Sequence, residues 1–126
     1  MLRLFRKTPK LEAVFRPVRA VARELTREVE VTGELVLRNA GRDAEIADLQ
    51  LVLIAGGTRR IDLTLPAAWH GRVSLPAGAE LREPVAWTLT LAAPMRAPAA
   101  EIQVNTTEGG RLEPLARTAP FQLGNE

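Results

Sequence analysis

The sequence predicts an all-β fold, an antiparallel β-sandwich of about eight strands. Three observations carry this. Val29, Val31, Gly33, Leu35 and Leu37 alternate without a break against Glu28, Glu30, Thr32, Glu34 and Arg38, and side chains of successive strand residues face opposite sides, so the stretch reads as a half-buried strand. Similar stretches recur along the chain at the roughly 8–12-residue spacing of sandwiches and barrels. Nine prolines and nine glycines fall mainly between them, where turn chemistry wants them.

Ala13 to Arg23 is the first strand, with Val18, Ala20 and Ala22 against Arg19, Val21 and Arg23. Pro17 lacks a backbone donor, so this strand belongs at an edge or begins after the proline. A tight turn at residues 25–26 sets Arg23 opposite Glu28 and Ala22 opposite Val29. That register gathers the charges on one wet face, with cross-strand ion pairs contributing ~0.2–1 kcal/mol each. Asn39, Gly41 and Asp43 break the second strand, and Leu49, Leu51 and Leu53 resume with Val52 and Ile54 on the opposite face. A strand apolar on both faces lies centrally. The two arms of Val29–Ala55 read as a hairpin around which the rest is laid. Gly56-Gly57 then turns the chain into Ile61, Leu63 and Leu65, ended by Pro66. Trp69 to Leu75, Val85 to Leu91, Ile102 to Thr106 and residues 115–123 follow as strands, with turns at Pro76–Glu80 and Gly109-Gly110. The expected core is Val31, Leu35, Leu37, Leu49, Leu51, Leu53, Leu63, Val73, Val85, Trp87, Leu89, Leu91, Ile102, Val104 and Phe121.

A chain of 126 residues fits one domain, read as a basic arm over residues 1–12 and a sandwich over 13–126. There is no cysteine, which excludes disulfides and thiolate metal sites. No apolar run approaches the ~20 residues of a spanning helix. Together with the cysteine count this gives a cytoplasmic expectation. Net charge is +2 but unevenly spread. Residues 1–27 hold eight Lys/Arg against Glu12 and Glu24, and the remainder nine basic against thirteen acidic residues.

Catalytic chemistry is thin. His70 is the only histidine, and no nucleophile elbow, phosphate-cradling glycine loop or ligand-spaced cluster accompanies it. It reads as a turn or surface residue. Asp43, Glu45 and Asp48 read as turn and strand-edge residues rather than a calcium site. No enzyme and no cofactor is expected. Nucleic-acid binding is disfavoured because Phe5, Phe15, Trp69, Trp87 and Phe121 are the only aromatics, too few to interleave with a basic groove.

Three stretches resemble the arrestin-like superfamily, and within it the bacterial sporulation-control proteins. Glu30-Val-Thr-Gly-Glu-Leu-Val-Leu37 is similar to the family's second strand, and Glu45-Ile-Ala-Asp-Leu-Gln-Leu-Val-Leu53 to the strand after it. Val73-Ser-Leu-Pro-Ala-Gly-Ala-Glu80, Pro84-Val-Ala-Trp-Thr-Leu-Thr-Leu91 and Pro94 resemble its proline–glycine–glutamate run. The basic opening Leu2-Arg-Leu-Phe-Arg-Lys7 is similar as well. The likeness covers about residues 18–106, and the chain is about half the family's two-domain length. The Pro-Gly pair usual before the second strand is replaced by Arg27-Glu28. The resemblance implies one N-terminal-like lobe, an immunoglobulin- or arrestin-like sandwich that binds and regulates other proteins without catalysis. It also implies that the two arms of Val29–Ala55 lie in different sheets, against the hairpin reading.

The leading expectation is therefore a protein-interaction module with a protein partner. The alternative is a sandwich that binds carbohydrate or another small molecule, which would present exposed aromatics. The exposure of Trp69 separates the two. Expected partner-contact residues are Arg3, Arg6, Lys7 and Lys10 on the arm, and Gln103 and Asn105 on a strand read as a dimer-forming edge. Membrane contact through the arm would be weak and peripheral, since its apolar content is small.

Overall fold

Regular structure begins where the apolar alternation is cleanest. Strand β2 (Glu28–Asn39) buries Val29, Val31, Leu35 and Leu37 on one face and turns Glu28, Glu30, Thr32 and Glu34 outward. The computed structural model describes residues 10–96 and 99–125. Strand β1 (Leu11–Arg23) pairs antiparallel with β2 in the expected register, Ala22 opposite Val29 and Arg23 opposite Glu28. It takes in Leu11 and Glu12, which the sequence reading left in the arm. The register shifts between Pro17 and Arg19. This bulge leaves Val18 84% exposed and bends the strand where proline could not complete a ladder.

The rest of the chain divides between two main sheets and one small one. It supplies β3 (Ala44–Ala47), β4 (Leu49–Ala55), β5 (Arg59–Leu63), β6 (Arg72–Leu75) and β7 (Glu80–Thr90). After these come β8 (Ala99–Thr106), β9 (Glu113–Arg117), β10 (Phe121–Gln122) and β11 (Gly124–Asn125). One sheet runs β11-β1-β2-β7 and the other β10-β8-β4-β5, with β9 also on β8; β3 and β6 form a two-stranded piece. All pairs are antiparallel except β11, which lies parallel to Val21 and Ala22 of β1. Apolar residues from both main sheets make one core, and the all-β sandwich stands.

Two contacts fasten the sheets together. Phe15 of β1 reaches Phe121 of β10, with ring centroids 4.9 Å apart, and Trp87 of β7 at 6.4 Å. Trp87 Nε1 donates to the carbonyl of Thr64, just past β5, at 2.8 Å. Gly33 makes room for this packing. A Cβ there would collide with the carbonyl oxygen of Arg16 and lie 2.9 Å from the Phe15 ring.

The Val29–Ala55 hairpin is not formed. β2 and β4 belong to different sheets. The chain leaves β2 at Asn39, pairs β3 with β6, and then turns into β4 through Asp48, which adopts φ 53°. A short polar side chain tolerates that left-handed backbone better than most. Asn39 is fully buried. Its Nδ2 donates to the carbonyls of Arg42 (2.6 Å) and Leu75 (2.7 Å), and its Oδ1 accepts from the Gly41 amide (2.9 Å). β4 is central, as its double apolar face requires, between β8 and β5.

Three further expectations are corrected. The strand read over Trp69–Leu75 shortens to β6, because residues 67–69 coil into a 3-10 turn and Gly71 takes φ 69°. Residues 115–123 are not one strand: the segment splits into β9 and β10 and crosses sheets to β11. Leu89 and Leu91 are only partly buried, whereas Val29, Trp69, Leu75, Met95 and Leu123, outside the expected core, are buried.

Two substitutions test this account by urea denaturation. Gly33→Ala overpacks the site under Phe15 and is expected to cost ~1–3 kcal/mol. Asn39→Ala strands the buried Leu75 carbonyl and the part-buried Arg42 carbonyl and Gly41 amide, and is expected to cost ~1–3 kcal/mol, well beyond an exposed Asn→Ala.

Candidate interaction surfaces

The side chains that carry most chemistry in the sequence go into the frame. Trp69 is 0% exposed. Its Nε1 meets no hydrogen-bond partner among the described residues. His70 is exposed, and its Nε2 lies 3.0 Å from the Leu65 carbonyl, closing the 3-10 turn's far side. Asp43 Oδ1 accepts from the Ala77 amide at 2.8 Å, Glu45 pairs with Arg72 at 3.7 Å, and Asp48 serves the kink before β4. The three acids are therefore dispersed. Among the described residues no group of three His, Asp or Glu side chains could hold a metal ion. No helix among the described residues is long and apolar enough to cross a membrane.

Gln103 and Asn105 do not lie on an edge. β8 is an inner strand, flanked by β4 on one side and by β9 and β10 on the other. Gln103 is 7% and Asn105 1% exposed. Gln103 Oε1 accepts from Arg60 at 2.8 Å, so it serves the sheet itself. The edge reading failed because alternation with polar partners does not reveal that the C-terminal segment folds back onto β8. Thr118 completes that return, exchanging its amide and hydroxyl with the Ile102 backbone at 2.9 and 3.0 Å.

Arg3, Arg6 and Lys7 lie outside the described residues. Lys10 is exposed, and its carbonyl accepts from the Ala40 amide at 2.8 Å. This contact places the entry to β1 beside the loop that follows β2.

The outer face of β1, β2 and β7 is a self-compensated lattice of charge. Glu34 bridges Arg16 of β1 (2.9 Å) and Arg82 of β7 (3.2 Å), and Arg82 also reaches Glu80 at 3.1 Å. Glu30 accepts from Arg23 at 2.9 Å and lies 3.4 Å from Arg19. The register is the expected one, with Arg23 opposite Glu28, but Arg23 and Arg19 reach diagonally to Glu30 because arginine is long. Beneath it Val36 is buried, while Val14 beside it remains part exposed. The Arg23 hydrogen bond is the chief cause that holds the Glu30 carboxyl below its ordinary 4.5; partial burial opposes it and the charge of Arg19 adds to it.

This sets a pH dependence with a definite sign. A carboxyl with a depressed folded-state pKa contributes stability at pH values above its unfolded pKa and loses it as pH falls through the folded value. The stability difference between the native chain and Glu30→Gln is expected to be constant near neutrality and to shrink below about pH 4.5. Urea midpoints measured from pH 7 to pH 3 check it; a difference that grows on acidification would contradict the assignment.

No family model matches the chain, and no curated protein matches it in sequence. Solved structures do share its fold. A Bordetella pertussis protein assigned as ApaA aligns over 94% of this chain and 96% of its own, at 16% identity and TM-score 0.55. The sporulation control protein Spo0M from Bacillus subtilis aligns over 96% of this chain, at 14% identity and TM-score 0.52. The alignment takes in 50% of Spo0M, so the chain spans about half that protein's length. At these identities the likeness is one of fold.

Proposed function

We propose that this chain is a non-catalytic, regulatory protein-interaction module, equivalent to one arrestin-like lobe of the sporulation-control type, working in the cytoplasm with a protein partner. The observation that carries the reading is the burial of Trp69. A sandwich that binds sugars or other small molecules presents aromatic rings to solvent, and here both tryptophans are buried in the frame. What faces outward on the four-stranded sheet is ion-paired charge over a few valines, a surface suited to electrostatic selection of a partner. The fold shared with half of Spo0M supports the same reading.

Immobilised protein is expected to retain a specific protein from extract of the native cell, less at high salt, and the identified partner to rebind when purified. Titration with mono- and oligosaccharides should leave the fluorescence of Trp69 unchanged in a Trp87→Phe background. Saturable quenching by a sugar, with no reconstituted protein partner, would replace this reading with the ligand-binding one.

A further inference from the structure

At the end of the sandwich where β1 turns into β2, three connections meet. They are the tip at residues 24–27, the glycine turn at residues 56–58, and the crossover that leaves β7 at Leu91. The Leu91 amide donates to the Arg27 carbonyl at 2.8 Å, and Arg27 in turn donates to the Ala92 carbonyl at 3.0 Å. Arg59 clamps the next two carbonyls, Ala93 at 3.0 Å and Pro94 at 3.2 Å. Arg96 bonds Glu24 at 3.0 Å, and the Gly56 amide reaches the Ala99 carbonyl at 3.0 Å. Met95 is buried and roots the crossover in the core. Three loops from two sheets are thus fixed in advance, which lowers the ordering cost of any partner they bind.

The surface they present has one chemical character. Leu25 is 97% exposed, and Ala92, Ala93 and Pro94 are exposed beside it. Arg27, Arg59 and Arg96 sit along the crossover in chain order, at Ala92, at Ala93 and Pro94, and two residues further on. Glu24 is the sole carboxylate in these three connections; Glu28, the next acid, begins β2 on its outer face. Arg27 and Arg59 spend donors on neutral carbonyls and pair with no carboxylate among the described residues, and each guanidinium keeps further N–H groups. Arg27 also holds a left-handed φ of 59°, a conformation glycine would take more readily. From residue 92 to 96 the row follows a crossover that bends at Ala92 and Ala93 and spans at most about 13 Å. That length suits an extended segment with several carboxylates better than a single small anion. One exposed leucine is too little apolar surface for insertion into lipid.

We infer that this three-loop end is the docking surface for an acidic peptide segment of a protein partner, its carboxylates on Arg27 and Arg59 and beside the Arg96–Glu24 pair, and an apolar side chain on Leu25 and Pro94. The inference rests on the interaction-module reading and names its surface. Lys10 stands at the opposite end of β1 from this surface.

The test is fluorescence anisotropy with a fluorescein-labelled peptide of several Asp and Glu residues around one Leu, against the same peptide with Lys for each acid. Three proteins are compared: the native chain, Arg27→Gly with Arg96→Glu, and Leu25→Ser. Glycine suits the left-handed position, and the Arg27–Ala92 and Arg96–Glu24 bonds given up by the double variant are exposed and contribute little, so its urea midpoint stays close to native. The acidic peptide is expected to bind the native chain and not its Lys counterpart. The double variant should lose about tenfold or more in affinity, as should the native chain at high salt, with a smaller loss for Leu25→Ser. Equal binding by the double variant, or no binding at low salt, overturns the inference. So does arginine-dependent binding to phosphatidylserine vesicles without peptide binding, which would make the end a lipid contact. A partner retained from extract equally by native and double-variant protein overturns the inference while the module reading stands. Arginine-dependent peptide binding with no retained partner leaves the site standing and removes the module reading.

Discussion

The structure depends on one buried amide. Asn39 is the last residue of β2, opposite Leu11 of β1, and the ladder stops there as the chain leaves its sheet. Its side chain bonds Arg42, Leu75 and Gly41, while its own backbone exchanges with Ala79 and Gly78. These bonds close the end of β2 onto the end of β6 and the turn before β7. Buried backbone groups left unpaired are costly, so without this junction the crossing would have to stay near water. The crossing is what brings the apolar face of β2 over the apolar face of β4. Both faces could otherwise be satisfied only by pairing in a single sheet exposed on one side.

The same constraint explains how the flanks close. With β2 and β4 in separate sheets, each sheet ends in strands that would leave the core open at its sides. Phe15 packs on Phe121 between the sheets, which requires glycine at position 33. Trp87, in contact with Phe15, adds a bond to the Thr64 carbonyl. The large aromatics are therefore consumed in joining sheets, and the surface is left to arginine and glutamate. On the outer face these compensate one another. At the three-loop end the arginines instead hold backbone carbonyls, so fixing the loops also concentrates positive charge there.

Much of this was legible in the chain. The period-2 alternation of Val29–Leu37, the register of Arg23 on Glu28 and the centrality of Leu49–Ala55 all follow from local rules, whereas Pro17's strand, read as an edge, carries β11 along Val21 and Ala22. They depend on which side of a strand a residue faces, and a single strand or tight hairpin decides that. Gly33 sits in the apolar row of β2, and its reason, the Phe15 ring and the Arg16 carbonyl, comes from a neighbouring strand. Gln103 and Asn105 look like edge residues from alternation alone, and the return of residues 113–122 onto β8 makes them interior.

The sequence by itself determined the class of fold, most of the strands, most of the core and the ion-paired outer face. Those properties are set by hydrophobic period and turn chemistry within a few neighbouring residues. Only the tertiary structure decided that β2 and β4 part company, that Trp69 is enclosed, that β8 is an inner strand and that Arg27, Arg59 and Arg96 share one end. Each of these depends on which distant segments meet. That choice is made by the joint burial of two faces and the satisfaction of buried polar groups, and no local pattern encodes it.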